Sequence, residues 1–167
     1  MAVEQSLVLV KPDGVVKEIS GDIMNRLAET GLRVVGAKMV KVSKELAHEH
    51  YRHLKEKPFF NELIDYIMGK YHERPVLALV YEGENACERI RKAVGATNPE
   101  EAEPTSIRGK YGRITSKGVF ENVVHASESP AEAKREIQLW FSPGELIHVI
   151  YPVDEKKMER KVRVWRK

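Results

Sequence analysis

Hydrophobic periodicity switches back and forth along this chain, and that alternation limits its fold more than any other feature. Residues 6–11, SLVLVK, form a short apolar run suited to a buried strand. Ile23 and Leu27 stand one helical turn apart, and Gly31 supplies a helix stop. LRVVGAKMVKV, residues 32–42, alternates as a long strand, with Val35, Ala37 and Met39 expected on one face. Ser43 can cap a helix running through Leu54, and Pro58 opens another with Phe60, Leu63, Ile64 and Ile67 as its apolar face. PVLALVY, residues 75–81, is a third strand, and residues 84–94 form a helix. Val119, Phe120, Val123 and Val124 mark a fourth strand. Ser129, Pro130 and Glu132 then supply the cap, first-turn proline and capping-box glutamate of a last helix. The order fits an α/β (α+β) class, a ferredoxin-like βαββαβ sandwich. Its antiparallel sheet is covered by helices, and a long loop precedes the last strand.

Length and composition narrow the class further. The 167 residues point to one domain, 1–167, with its own core. Hydrophobic content of 42% and charged content of 32% suit a soluble protein. No apolar run approaches the ~20 residues of a membrane span. The start, MAVEQSLVLV, lacks the basic cluster of a secretory signal, so a cytoplasmic location is expected. The single cysteine, Cys87, excludes an internal disulfide framework and reads as a packing residue within a helix. Basicity is a terminal feature. Residues 154–167 hold seven Lys or Arg against three Asp or Glu, a balance of +4. The rest holds 21 basic against 22 acidic residues, a balance of −1. A solvated or subunit-contacting end is the expected role of this tail, with Val162, Val164 and Trp165 as an apolar face.

The polar residues fall at the ends of these elements. Lys11 stands at the tip of the first strand. Residues 95–117 are rich in Gly, Pro, Thr, Ser and Asn and too long for a plain connector. They carry Thr97, Arg108, Lys110 and Arg113, with Arg91 just before them. Cations and a hydroxyl on one such segment suit a polyphosphate, because the arginine fork binds phosphate oxygens in pairs. NVVHASES, residues 122–129, places His125 between the fourth strand and the last helix, in a short loop that can hold a side chain rigidly and expose it.

These motifs closely resemble those of the nucleoside diphosphate kinases. The resemblance spans about residues 7–146. It rests on LVLVKPDGV, EHYRHLKEKPFFNELIDYI, GATNPEEAEPTSIRG, and above all NVVHASES followed by EAKREIQLWF. By that resemblance His125 is the phosphorylated nucleophile, with Ser127 and Glu136 beside it. Lys11, Tyr51, Phe59, Arg91, Thr97, Arg108 and Asn122 are then the nucleotide contacts. It implies phosphoryl transfer from a nucleoside triphosphate to a nucleoside diphosphate by a ping-pong route. Mg2+ would be carried on the nucleotide rather than held by the protein. It also implies a homo-oligomer, six subunits favoured over four, with no membrane or nucleic-acid partner.

The residue types suit that chemistry. An imidazole has an ordinary pKa of about 6.5 and is a good neutral nucleophile and leaving group. One ring nitrogen attacks, so a partner must hold the proton on the other. Glu136 lies at the edge of the stripe formed by Ala133, Ile137 and Trp140, and can turn inward. The transferring phosphoryl group spreads charge over its oxygens, which Lys11, Arg91 and Arg108 would offset. Phe59 would stack on the base while Phe60 packs, and stacking tolerates every base.

Some positions depart from the family pattern. Glu128 stands where Asp is usual in the histidine motif, and Lys110 replaces the Asp of RGD. The segment between Arg108 and Asn122 and the stretch MGKYHERP are longer than usual. Two rival readings come from other classes. RGKYGRI faintly echoes an RNA-recognition strand, but Tyr111 stands alone there. HEHYRH, residues 48–53, echoes a metal motif with Arg52 at the second histidine position. His50 and His53 are therefore expected on the surface.

Overall fold

In the computed structural model, which describes residues 3–116, 118–157, 159, 165 and 166, the first strand is the centre of the design. β1 (Val3–Val10) is followed by α1 (Pro12–Val16), α2 (Ser20–Ala28) and β2 (Arg33–Val40). α3 (Lys44–His50), a 3-10 turn at Arg52–Leu54, α4 (Phe60–Ile67) and β3 (Val76–Glu84) come next. α5 (Ala86–Val94), α6 (Ile107–Tyr111), β4 (Arg113–Ile114), β5 (Phe120–Glu121), β6 (Val124–Ala126) and α7 (Pro130–Trp140) complete the set. The main sheet has the order β2-β3-β1-β6, antiparallel throughout. This is the ferredoxin-like α+β arrangement.

β1 is apolar at successive positions because both faces of the sheet are covered. Leu7 and Leu9 point into a core shared with Ala47, Phe60, Ile64, Ile67, Ile137 and Trp140, from α3, α4 and α7. Val8 and Val10 point the other way, towards Ile23, Leu27 and Ile90 of α2 and α5. All four of these β1 residues are fully buried. Cys87 is buried among the first set. Among the described residues, no helix is long and apolar enough to cross a membrane.

Several sequence expectations need correction. In β2 the face does not run through Val35, Ala37 and Met39. A bulge between Val34 and Gly36 shifts the register, so Val35 and Gly36 are both buried while Ala37 and Met39 are exposed. One extra residue turns every later side chain to the other face. The helix begun at Ser43 ends at His50, and the chain continues as a 3-10 turn rather than through Leu54 in one helix. α4 starts at Phe60, not at Pro58, and Glu84 closes β3 so that α5 begins at Ala86. Residues 95–117 are not a bare loop, since they contain α6 and β4. Tyr111 ends α6, which removes the RNA-recognition strand.

The expected strand from Val119 to Val124 is also two. β5 pairs with β4 as a separate hairpin, and β6 joins the main sheet. Val123 between them has φ 55° and is fully buried. A β-branched residue held there costs about 1–3 kcal/mol and persists only where its surroundings over-determine it. Its N–H donates to Asp13 Oδ2 at 3.0 Å, and its carbonyl accepts from Lys11 N at 2.9 Å. The bend thus locks the start of β6 to the end of β1. Val162 and Val164 of the basic tail lie outside the described residues.

Candidate active site

His125 is the middle residue of β6, opposite Leu9 of β1, rather than in a loop beyond the strand. A β1 residue backs its main chain, while its side chain keeps 18% of its surface open. Two residues on, Ser127 N donates to Leu7 O, and Ser127 Oγ accepts from Leu7 N. Ser129 then caps α7, accepting from Glu132 N at 3.3 Å. The Glu132 carboxylate accepts from Arg135 instead of closing the capping box.

α7 presents Glu136 inward, only 3% exposed. His125 Nε2 lies 2.9 Å from Glu136 Oε1, and Ser127 Oγ donates to Oε2 at 2.6 Å. Burial alone would raise the Glu136 pKa, but His125, Ser127 and Arg135 together bring it below the ordinary carboxylate value. The carboxylate is therefore an ionised acceptor. Nε2 donates to it, and Nδ1 of His125 is the nitrogen left with its lone pair.

Cations gather beside this pair. Lys11 follows β1 directly and is 6% exposed. Its Nζ donates to Asn122 Oδ1 at 2.7 Å, and Asn122 Nδ2 donates to the Thr97 carbonyl at 2.9 Å. Burial, partly offset by Asp13 and reinforced by Arg108, pushes the Lys11 pKa down to about 8. Arg108 on α6 donates to the carbonyls of Gly95 and Val124, both at 3.0 Å. Burial and then Arg91 push its pKa down to about 10. Arg91 itself lies exposed on α5. Buried cations that repel one another are costly unless an anion joins them.

Tyr51, at the C-cap of α3, is buried with its ring 6.5 Å from that of His125. Burial and then Glu136 raise its pKa, so it stays an O–H donor, and the hydroxyl has no partner within the described protein. Phe59 is the N-cap of α4 and 49% exposed, whereas Phe60 is buried edge-on to His48. Two further cations of this segment, Lys110 and Arg113, are used elsewhere. Lys110 lies over the Tyr111 ring, and Arg113 pairs with Glu121.

Sequence reasoning missed His50. It is fully buried rather than on the surface, with its ring 4.6 Å from that of His125. His53 is exposed. A usable signal was present: His50 follows the buried Ala47 by three residues and so shares its helix face. His50, His125 and Glu136 offer ligand atoms within 4.8 Å of one another. Two imidazoles and one carboxylate make a zinc-type donor set, whereas Mg2+ prefers oxygen.

The fold and site together fit a phosphotransferase: an α+β sandwich holding a strand-borne histidine, its carboxylate partner and the buried cations Lys11 and Arg108. Residues 4–146 match the family model described as nucleoside diphosphate kinase. The nucleoside diphosphate kinase of Symbiobacterium thermophilum is 49% identical over 142 residues, covering 85% of this chain and 89% of that protein. The halophilic enzyme of Halobacterium salinarum, solved with CDP, has a TM-score of 0.79 and 40% identity. That match covers 92% of this chain and 95% of the other. The Borrelia burgdorferi enzyme, solved as a transition-state mimic with vanadate and ADP, also has a TM-score of 0.79, with 36% identity. It covers 91% of this chain and 94% of its own. This chain belongs to the nucleoside diphosphate kinase family.

Proposed function

We propose that the chain, acting as one domain, passes the γ-phosphate of a nucleoside triphosphate to a nucleoside diphosphate through a phosphohistidine at His125. The observation that carries this reading is the pairing of His125 Nε2 with a buried, hydrogen-bonded carboxylate, which frees Nδ1. The Nδ1 lone pair attacks the γ-phosphorus, and the bond to the β–γ bridging oxygen breaks. The nucleoside diphosphate leaves with that electron pair. Glu136 offsets the positive charge that develops on the ring. In the second half, a terminal β-phosphate oxygen of the acceptor attacks phosphorus. The N–P bond breaks, and the lone pair returns to Nδ1.

Lys11, Arg91 and Arg108 offset charge on the phosphoryl oxygens, and Tyr51, Thr97 and Asn122 contribute further nucleotide contacts. Ser127 holds the carboxylate in place. Mg2+ would enter with the nucleotide substrate and supply further positive charge at its phosphates, beside Lys11, Arg91 and Arg108. Phe59 stacks on the base without reading its edge, so base specificity is low. The CDP- and ADP-bound relatives support nucleotides as substrates. The enzyme works as a cytoplasmic homo-oligomer, six subunits rather than four. Initial rates with one substrate varied at several levels of the other test the scheme. Parallel reciprocal plots are expected, and intersecting plots contradict it.

A further inference from the structure

The Glu136 carboxylate has two imidazoles beside it. His125 Nε2 is 2.9 Å from Oε1, and His50 Nδ1 is 3.8 Å from the same oxygen. Either ring could carry a proton towards Oε1, yet only the first arrangement leaves His125 Nδ1 free to attack. Trp140 decides between them. Its indole Nε1–H can only donate, and it donates to His50 Nδ1 at 3.2 Å. Nδ1 is therefore an acceptor, and neutral His50 carries its proton on Nε2.

We propose that Trp140 and His50 are positioning residues for phosphoryl transfer: the indole N–H holds His50 as its Nε2–H tautomer and so reserves Glu136 Oε1 for His125. The inference rests on His125 being the nucleophile.

The packing makes the arrangement rigid. Trp140 is 3% exposed, and its ring meets His50 edge-on at 5.5 Å. His50 also meets Tyr51 and His125 edge-on, at 4.5 and 4.6 Å. Arg135 donates to the carbonyls of Glu49 and His50, both at 3.2 Å, which pins the end of α3 against α7. The charged and titratable groups around His50 are Glu136 and Arg135 on α7, His125 on β6, Lys11 after β1, and Tyr51 and His53 beyond α3. Burial first, and then the cationic members of that set, keep His50 neutral. Without the indole N–H, His50 can take its proton on Nδ1 and close the 3.8 Å gap to Glu136. His125 then loses its fixed Nε2–H, and molecules protonated at Nδ1 cannot attack.

Trp140→Phe removes the N–H and keeps an aromatic ring. kcat should fall roughly 10–100-fold, the loss seen when a hydrogen-bond partner orienting a metal-bound histidine is removed, with KM for the nucleotides little changed. Nitrogen-15 spectra of the imidazoles should show His50 as Nε2–H in the wild type and as a mixture in the variant. Trp140→Phe combined with His50→Phe removes the competitor and should regain part of the lost kcat, whereas a packing defect would deepen. Wild-type kcat in Trp140→Phe, His50 already protonated at Nδ1 in the wild type, or a double variant slower than the single one would overturn the proposal. Wild-type protein that forms no phosphohistidine would instead overturn the nucleophile assignment.

Discussion

Lys11 stands where burial works against its charge, and that has a consequence visible in pH. Its pKa is pushed down to about 8, chiefly by burial. The ammonium is present below that pH and is lost as pH rises through it. Because kcat/KM reports the free enzyme, it should decline above about pH 8 as the phosphate-binding charge disappears. Lys11→Arg should move the decline upward, since guanidinium stays charged. A wild-type profile that stays flat through this region would show that Lys11 does not carry that charge to the substrate. Glu136→Gln keeps the shape of the side chain and removes the anion, so it should slow transfer without abolishing it. Single-turnover phosphorylation would measure this. At this scale the histidine motif made His125 legible, and helical spacing placed Glu136 near it. His50 was not legible, because a polar residue among charged ones reads as surface until its partners Trp140 and Glu136 are brought in from α7.

Elements place these side chains, and two of their joints can be tested. Ser129 caps α7, so Ser129→Ala should cost about 1 kcal/mol in chemical denaturation. Gly14 marks the tighter joint. A Cβ there would meet Val10 Cγ1 and the Val123 carbonyl oxygen, both at 2.9 Å. That carbonyl is bonded to Lys11 N and cannot retreat freely. Gly14→Ala should therefore destabilise the fold by about 1–3 kcal/mol, as overpacking does, and lower kcat by disturbing the start of β6. A urea midpoint and kcat both unchanged would contradict this. The long strands of the main sheet and the helices α2, α3, α4, α5 and α7 were legible from periodicity and caps, and their order pointed to the antiparallel sheet, whereas the short α1, α6 and β4 were not read. The bulge in β2 and the break at Val123 were not, because neither a bulge nor a positive φ at valine leaves a mark in hydrophobic pattern. The pattern at 119–124 simply looks like one strand.

At the scale of the whole molecule, the proposed site draws on β1, α3, α4, α5, α6, β6 and α7. The antiparallel pairing of β1 with β6 sets Leu9 opposite His125, 116 positions further along the chain. Phe59, exposed at the start of α4, is assigned to stacking. Phe59→Ala should weaken binding of dGDP, CDP and UDP alike, by about 1–3 kcal/mol. Calorimetry that finds a loss confined to one base would contradict the stacking role. A covalent phosphoryl group on His125 would show in the intact mass after mixing with Mg-ATP. The wild type should gain one phosphate that is lost in acid and survives base, and His125→Ala should gain none. An unmodified wild type, or a His125→Ala protein that still takes up phosphate, would contradict the account.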